Sequence, residues 1–405
     1  MTDIPATPPA PSPPPRWRPL RWSIALCLLA GLVGAGFYLH GHDDYGRAGS
    51  WALLSGAVFG YLLQRSRFCF FCNLADWFTE RKASGVLALL AALAVGMLGY
   101  TVIYGAWVPY PDAGFLPPRA HIAPVGWHLV VGGLAFGLGM ALSGSCLSAH
   151  FYRLGEGSVR SPLALLGAIG GFILGFRAWP FFYMQAMADS PVIWLPESWG
   201  YTGALLLQAS VLAVLALVIW LRAKPEPARP PTPRTLTGIL RAVFVERWPG
   251  VVGGVSVGAL ATAVYLRATP LGVTAEWGRL ARLAGSRFGW ISDTLPGLDS
   301  LRGCNPVEAA NIFSPNALFV IGLVSAAAIG GLVAGQFQPR KYGPLHLILA
   351  LIGGVLLGFG SLISLGCTIG TLLSGVHALA VSGWLFGAAM VAGVYVGVQL
   401  MIRIE

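Results

Sequence analysis

The sequence predicts an all-α polytopic membrane protein made of two inverted, pseudo-symmetric repeats, with short broken or re-entrant helices meeting at the centre. Three observations carry that prediction. Hydrophobic residues are 56% of the chain and charged residues 10%, with mean hydropathy +0.70, where a soluble domain is roughly a quarter charged. One pattern, GGxxxGxGxxxSxxC, occurs twice: as Gly132, Gly133, Gly137, Gly139, Ser143 and Cys146, and again 221 positions on as Gly353, Gly354, Gly358, Gly360, Ser364 and Cys367. Both copies end in small residues around a cysteine, Gly144-Ser145-Cys146 and Gly366-Cys367-Thr368, which resemble helix breaks more than helix interiors. Glycine at this density lets helix backbones approach closely inside a bilayer.

The elements follow in order. Residues 1–21 hold Pro8, Pro9, Pro11 and Pro13 to Pro15 and read as a disordered proline-rich cytoplasmic tail ending in Arg16, Arg18 and Arg21. Residues 22–40 form an extra N-terminal span. Its apolar core runs into His40, His42, Asp43 and Asp44 rather than a small-residue cleavage site, so it is read as uncleaved. The first repeat covers 50–180, with candidate spans near 51–63, 84–106, 128–142 and 162–178. A connecting span follows at 201–221, and then a basic, proline-rich linker at 222–247. The second repeat covers 248–402, with spans near 249–267, 317–336, 345–361 and 383–402. Several are shorter than the roughly 20 residues that a crossing needs. The run at 51–63 is too short to cross at full thickness, and the element that follows it, Gln64 to Asn73 with Arg67-Phe68-Cys69, reads as a re-entrant or broken helix.

Charge gives the orientation. The formal net charge of +10 is the excess expected of cytoplasmic loops, so no nucleic-acid partner is expected. No polar segment is long enough to bury a core of its own, which excludes an appended soluble enzyme domain. Threading from an inside N-terminus puts Lys82, Lys224 and Lys341, the three lysines of the chain, on one side with the linker and the C-terminus. It sends the helix before Cys146 inward and the helix before Cys367 outward. Arg279, Arg282, Arg287 and Arg302 then fall outside, balanced by Glu276, Asp293, Asp299 and Glu308.

The cysteines carry the chemistry. Cys27 sits alone in the first span and reads as a small hydrophobe. Cys146 and Cys367 occupy matched repeat positions. Each half also has an earlier Arg-x-Cys, with Arg67 before Cys69 and Arg302 before Cys304, so four thiols can converge on one pathway. Cys69-Phe70-Phe71-Cys72 has redox-pair spacing but lacks a thioredoxin-like context or an ionisable partner in sequence. No Cys or His spacing suits zinc, and no metal or cofactor is expected. Ser143, Ser145, Ser148, Ser364 and Thr368 supply hydroxyl donors, unless these bond to nearby helix carbonyls. Arg67 and Arg302 read either as snorkelling span ends or as an anion vestibule. His150 is a candidate proton relay or a structural histidine.

Arg67-Phe68-Cys69-Phe70, Gly144-Ser145-Cys146 and above all Gly358-x-Gly360 followed by Gly366-Cys367-Thr368-Ile369-Gly370, Leu373-Ser374-Gly375 and Gly383-Trp384-Leu385-Phe386 resemble the YeeE/YedE family of sulfur-compound transporters, over about residues 50–400. The resemblance implies an hourglass-like membrane protein of the bacterial inner membrane that takes up the thiosulfate ion, with thiols lining its narrow centre and no enzymatic turnover. It assigns pathway positions to Cys69, Cys146 and Cys367; Cys304 is added by the internal repeat, and Gly144 and Gly366 flank the thiols. A soluble sulfurtransferase of the rhodanese or TusA type is the partner implied on the cytoplasmic side. The alternatives are transport of another sulfur or selenium oxyanion, and a membrane thiol oxidoreductase using Cys69 and Cys72.

Overall fold

Glycine and alanine spaced along long apolar runs produce helices that pack backbone to backbone, since lipid leaves apolar side chains no strong drive to associate. The structure, a computed structural model, describes residues 18–404 except 44, 228–234, 293, 299, 302, 304–312 and 340–341. Residues 1–17 of the expected tail and the positions of Arg302 and Cys304 lie outside the described residues, whereas residues 18–21, expected as the end of that tail, are helical and open the first span. The first half holds α1 (Arg18–Gly41), α2 (Gly46–Ser66), α3 (Phe70–Glu80), α4 (Ser84–Trp107), α5 (Trp127–Ser143), α6 (Leu147–Gly155) and α7 (Arg160–Ala186). Helix α8 (Leu195–Leu221), kinked at Gly200, leads to the linker, which carries a short helix α9 (Leu236–Phe244). The second half holds α10 (Gly250–Arg267), α11 (Thr274–Arg287), α12 (Pro315–Val333), α13 (Pro344–Ile363), a π-helical turn Thr368–Leu373 running into α14 (Ser374–His377), and α15 (Val381–Ile404).

Nine stretches among the described residues are long and apolar enough to cross a membrane. They match nine of the ten expected spans. The tenth, expected as a short run at 51–63, is instead part of the 21-residue helix α2, because Gly46 to Ser50 and Gln64 to Ser66 extend it with residues that hydropathy alone does not recruit. The chain is a multi-pass, all-helical membrane protein, with no named strand among the described residues.

The repeated glycine pattern positions the centre. Its glycines face two ways. A Cβ at Gly132 would lie 3.0 Å from the Gly360 carbonyl oxygen, and one at Gly139 2.7 Å from that of Gly353, so α5 and α13 cross in antiparallel contact. The other pair in each copy faces outward from this crossing. Gly133 and Gly137 meet the backbone of α15 at Phe386 and Met390, while Gly354 and Gly358 meet that of α7 at Ala164 and Ala168, with a Cβ on Gly358 only 2.0 Å from the Ala168 oxygen. Parallel cross-half pairs complete the body: α2 with α12, through Gly56 on Phe319 and Gly60 on Leu323, and α4 with α10, through Gly254 on Ala88 and Gly258 on Ala92. Exchanging α2 with α10, α4 with α12, α5 with α13 and α7 with α15 turns the α2–α12 contact into α4–α10 and the α5–α15 contact into α7–α13, and leaves the α5–α13 crossing unchanged.

Candidate functional site

Each described central cysteine stands at a helix break, immediately before a short helix. After α2, Arg67 takes the left-handed conformation at φ 51° and closes that helix. Cys69 is then extended and caps the N-terminus of α3, with its sulfur accepting the Cys72 N–H at 3.4 Å. Gly144, at φ 77°, ends α5, and Cys146 caps α6. In the second half Leu365 at φ 60° and Gly366 at φ 153° make the bend, and Cys367 precedes the π-helical turn. A leucine in the left-handed region is strained, and His121 holds this one through a 3.0 Å hydrogen bond between Nε2 and the Leu365 carbonyl. All three cysteines are fully buried. Helix N-termini carry partial positive charge, so each thiol stands at an electropositive point of the interior.

The first two bends meet. Cys69 Sγ is 3.7 Å from Ser145 Oγ, the neighbour in sequence of Cys146, and Cys146 Sγ is 3.3 Å from Ser148 Oγ. Cys367 stands elsewhere, beside Thr274 of α11. Because α5 and α13 are antiparallel, their C-terminal ends lie at opposite ends of the crossing: Ser364 is beside Gly132, and Ser143 is beside Gly353. Eleven residues of α5 separate those points, about 16 Å of helix. The described thiols therefore form two stations rather than a single ring.

The hydroxyls divide. Ser143 donates to the Ser145 carbonyl at 3.1 Å, and Ser364 to the carbonyls of Gly360 and Gly366, so both brace the bends. Ser145 and Ser148 face thiols, and Thr368 Oγ1 is buried without a hydrogen-bond partner among the described residues. His150 is buried with Nδ1 3.4 Å from Ser161 Oγ of α7, which is a packing position. Arg67 is exposed.

Sequence reading missed the cations that surround these breaks. Arg153, at the end of α6, donates to the Gly144 carbonyl at 3.2 Å and to Cys72 Sγ at 3.0 Å, joining the two first-half bends. Arg65, with no exposed surface, donates to Gln64, the Phe244 carbonyl and Gln336. Arg247 of the linker pairs with Glu156 at 3.0 Å and also donates to the Gln64 carbonyl. This network ties α2, α6, α12 and the linker together. On the opposite side of the body, a cavity of about 420 Å³ is lined by Arg47, Arg119, Arg267, Trp51 and Asn316, among others, with no Asp or Glu among its described lining residues. Arg267 stacks over the Trp51 ring at 5.0 Å.

A family profile described as sulphur transport matches residues 65–396, from the end of α2 to the middle of α15. The chain belongs to this family. Among curated proteins it is similar to the thiosulfate transporter TsuA of Escherichia coli, 27% identical over 359 residues covering 85% of this chain and 92% of the relative. It is equally similar to TsuA of Spirochaeta thermophila, 27% identical over 365 residues covering 87% and 98%. The probable transporter YedE of Escherichia coli is 32% identical over 189 residues, 44% of each chain. All three bends and their cysteines fall inside the matched residues, and the resemblance read from the cysteine motifs is thereby established. The chain is a multi-pass membrane transporter of the sulfur-compound family.

Proposed function

We propose that this chain is a permease that takes up thiosulfate across the bacterial inner membrane, along a route passing Cys69, Cys146 and Cys367, without chemical turnover. The observation that carries the proposal is the placing of three buried thiols, each at the N-terminus of a short helix in a broken segment. Thiosulfate is a small dianion with a soft terminal sulfur. A thiol offers a weak S–H donor and a soft, polarisable sulfur, and passage requires sites favourable enough to enter and weak enough to leave. Helix N-termini, each worth roughly half a positive charge, offset the cost of the dianion away from water. Charge-assisted arginine contacts are about twice as strong as neutral ones, which suits the arginine-lined cavity to capture and the thiol stations to transit. The names of the two TsuA relatives support thiosulfate as the solute. A deletion host unable to take up thiosulfate, grown on thiosulfate as its sulfur source, is expected to recover when it expresses this chain. Uptake of labelled thiosulfate into proteoliposomes is expected to accompany that recovery; no uptake there, or uptake of selenite or sulfate in preference, overturns the assignment.

The orientation belongs to the same proposal. With the N-terminus, linker and C-terminus cytoplasmic, α2, α5, α12 and α15 run inward and α4, α7, α10 and α13 outward. The parallel pairing of α2 with α12 and of α4 with α10, and the antiparallel crossing of α5 with α13, support this inverted arrangement. The Arg65, Arg153, Arg247 and Glu156 network then faces the cytoplasm, where a soluble sulfurtransferase would receive the substrate. Reporter tags placed in the 222–247 linker and at the C-terminus are expected to report the same, cytoplasmic side; opposite sides would sink the inverted threading.

A further inference from the structure

Cys72 has no place in the route, yet among the described residues it is the most closely engaged thiol. Its Sγ lies 2.9 Å from Cys69 Sγ, its backbone N–H points at the same sulfur, and Arg153 Nη2 is 3.0 Å from it. The spacing places the two thiols one helical turn apart on one face at the start of α3. A sulfur–sulfur bond is about 2.05 Å long, so the pair would close by under about 1 Å of movement. A guanidinium and a helix N-terminus are the surroundings in which cysteines react as thiolates. Sequence alone left this pair without an ionisable partner, and Arg153, 81 positions away, supplies one. Both cysteines are free in this structure, Cys72 partly exposed and Cys69 buried.

We infer that Cys69 and Cys72 form a reversible dithiol–disulfide site, oxidised by a small peroxide, whose oxidation shuts the route. The inference rests on Cys69 lining that route. In the first step the Cys72 thiol attacks one oxygen of hydrogen peroxide; the O–O bond breaks, an S–O bond forms, and the leaving hydroxide takes the Cys72 S–H proton to become water. In the second step Cys69 sulfur attacks Cys72 sulfur; the S–O bond breaks, the S–S bond forms, and the departing hydroxide leaves as a second water with the Cys69 proton. Two thiols are oxidised by two electrons and one peroxide is reduced. Cys72 reacts first because it is the more accessible and carries the Arg153 contact. The disulfide removes the S–H donor of Cys69 and draws its sulfur towards Cys72, away from Ser145. This differs from an oxidoreductase cycle, since transport itself leaves both thiols reduced.

The test uses the full chain in proteoliposomes, with thiosulfate uptake measured before peroxide, after it, and after dithiothreitol. Peroxide is expected to remove two hydrogens from the peptide carrying Cys69 and Cys72 and to lower uptake at least fivefold, with dithiothreitol restoring it. Cys72→Ser, with Cys72→Ala as a second variant, is expected to keep most of the basal uptake and to show no reversible loss. Absence of the Cys69–Cys72 linkage in wild-type protein overturns the inference and leaves the route intact, as does equal reversible loss in the Cys72 variants. A mapped linkage with undiminished uptake overturns the closure and removes Cys69 from the route.

Discussion

Replacing Cys146 or Cys367 by alanine is expected to abolish thiosulfate uptake while leaving the protein folded and inserted. Each residue is fully buried at a bend between two helical segments. Truncation removes one sulfur atom, a loss of about 1 kcal/mol by the usual scale of point substitutions, which helix packing on this scale absorbs. The bends themselves are held by other groups: Gly144 by its left-handed conformation and Arg153, and Leu365 by His121. The variants therefore lose the S–H donor and soft acceptor with the path around it preserved. Because the two stations stand at opposite ends of the α5–α13 crossing, neither can substitute for the other, and the two single variants should be equally inactive. Uptake in proteoliposomes, with membrane abundance measured on the same samples, checks this. Normal uptake by both variants would remove the thiols from the mechanism.

The central crossing was legible because it is encoded locally. The glycine spacing that repeats after 221 positions places two glycines of each copy on the crossing and two on the flanking helix, and periodicity shows that such faces exist. It does not show which helix each face meets; that was settled only by the contacts of Gly133 with α15 and Gly354 with α7. The breaks at Gly144 and Gly366 were readable from small residues next to cysteine, whereas the strain carried by Leu365 was not, since its stabilising partner His121 lies 244 positions away. Ser143 and Ser364 looked like donors to a solute and proved to brace their own bends, a local competition that residue type cannot resolve. The cation network stayed hidden for the same reason of distance. Arg65 reaches Gln336 across 271 positions and Arg247 reaches Glu156 across 91, so in sequence each looked like an ordinary span end or linker charge. Arg67, the arginine singled out beside the cysteine, is the exposed one, and Arg65 two positions earlier is buried.

Arg153 is expected to act as a positioning residue and source of charge for the first thiol station, and its substitution should have the second largest effect on uptake. Its guanidinium spans the Gly144 carbonyl and the Cys72 sulfur, so it holds the 144–146 bend against the start of α3 and leaves a cation beside Cys72, whose sulfur contacts that of Cys69. Hydrogen bonds to a charged group contribute roughly 1.5–3 kcal/mol, and a dianion passing this point would feel the same charge. Arg153→Met should therefore raise the apparent KM for thiosulfate about tenfold, which corresponds to about 1.4 kcal/mol, with a smaller fall in maximal rate. Lysine restores the charge without the fork that reaches both partners, so Arg153→Lys should return KM to within about threefold of wild type while the maximal rate stays lowered. A purely structural tie would give the opposite split, with Lys and Met equally impaired in maximal rate and KM unmoved, because neither can bridge the two bends. The measurement is uptake against thiosulfate concentration at low ionic strength, where charge is least screened, repeated at high salt. Equal KM values for the Met and Lys variants at both salt concentrations would count against the charge and leave Arg153 as a brace alone.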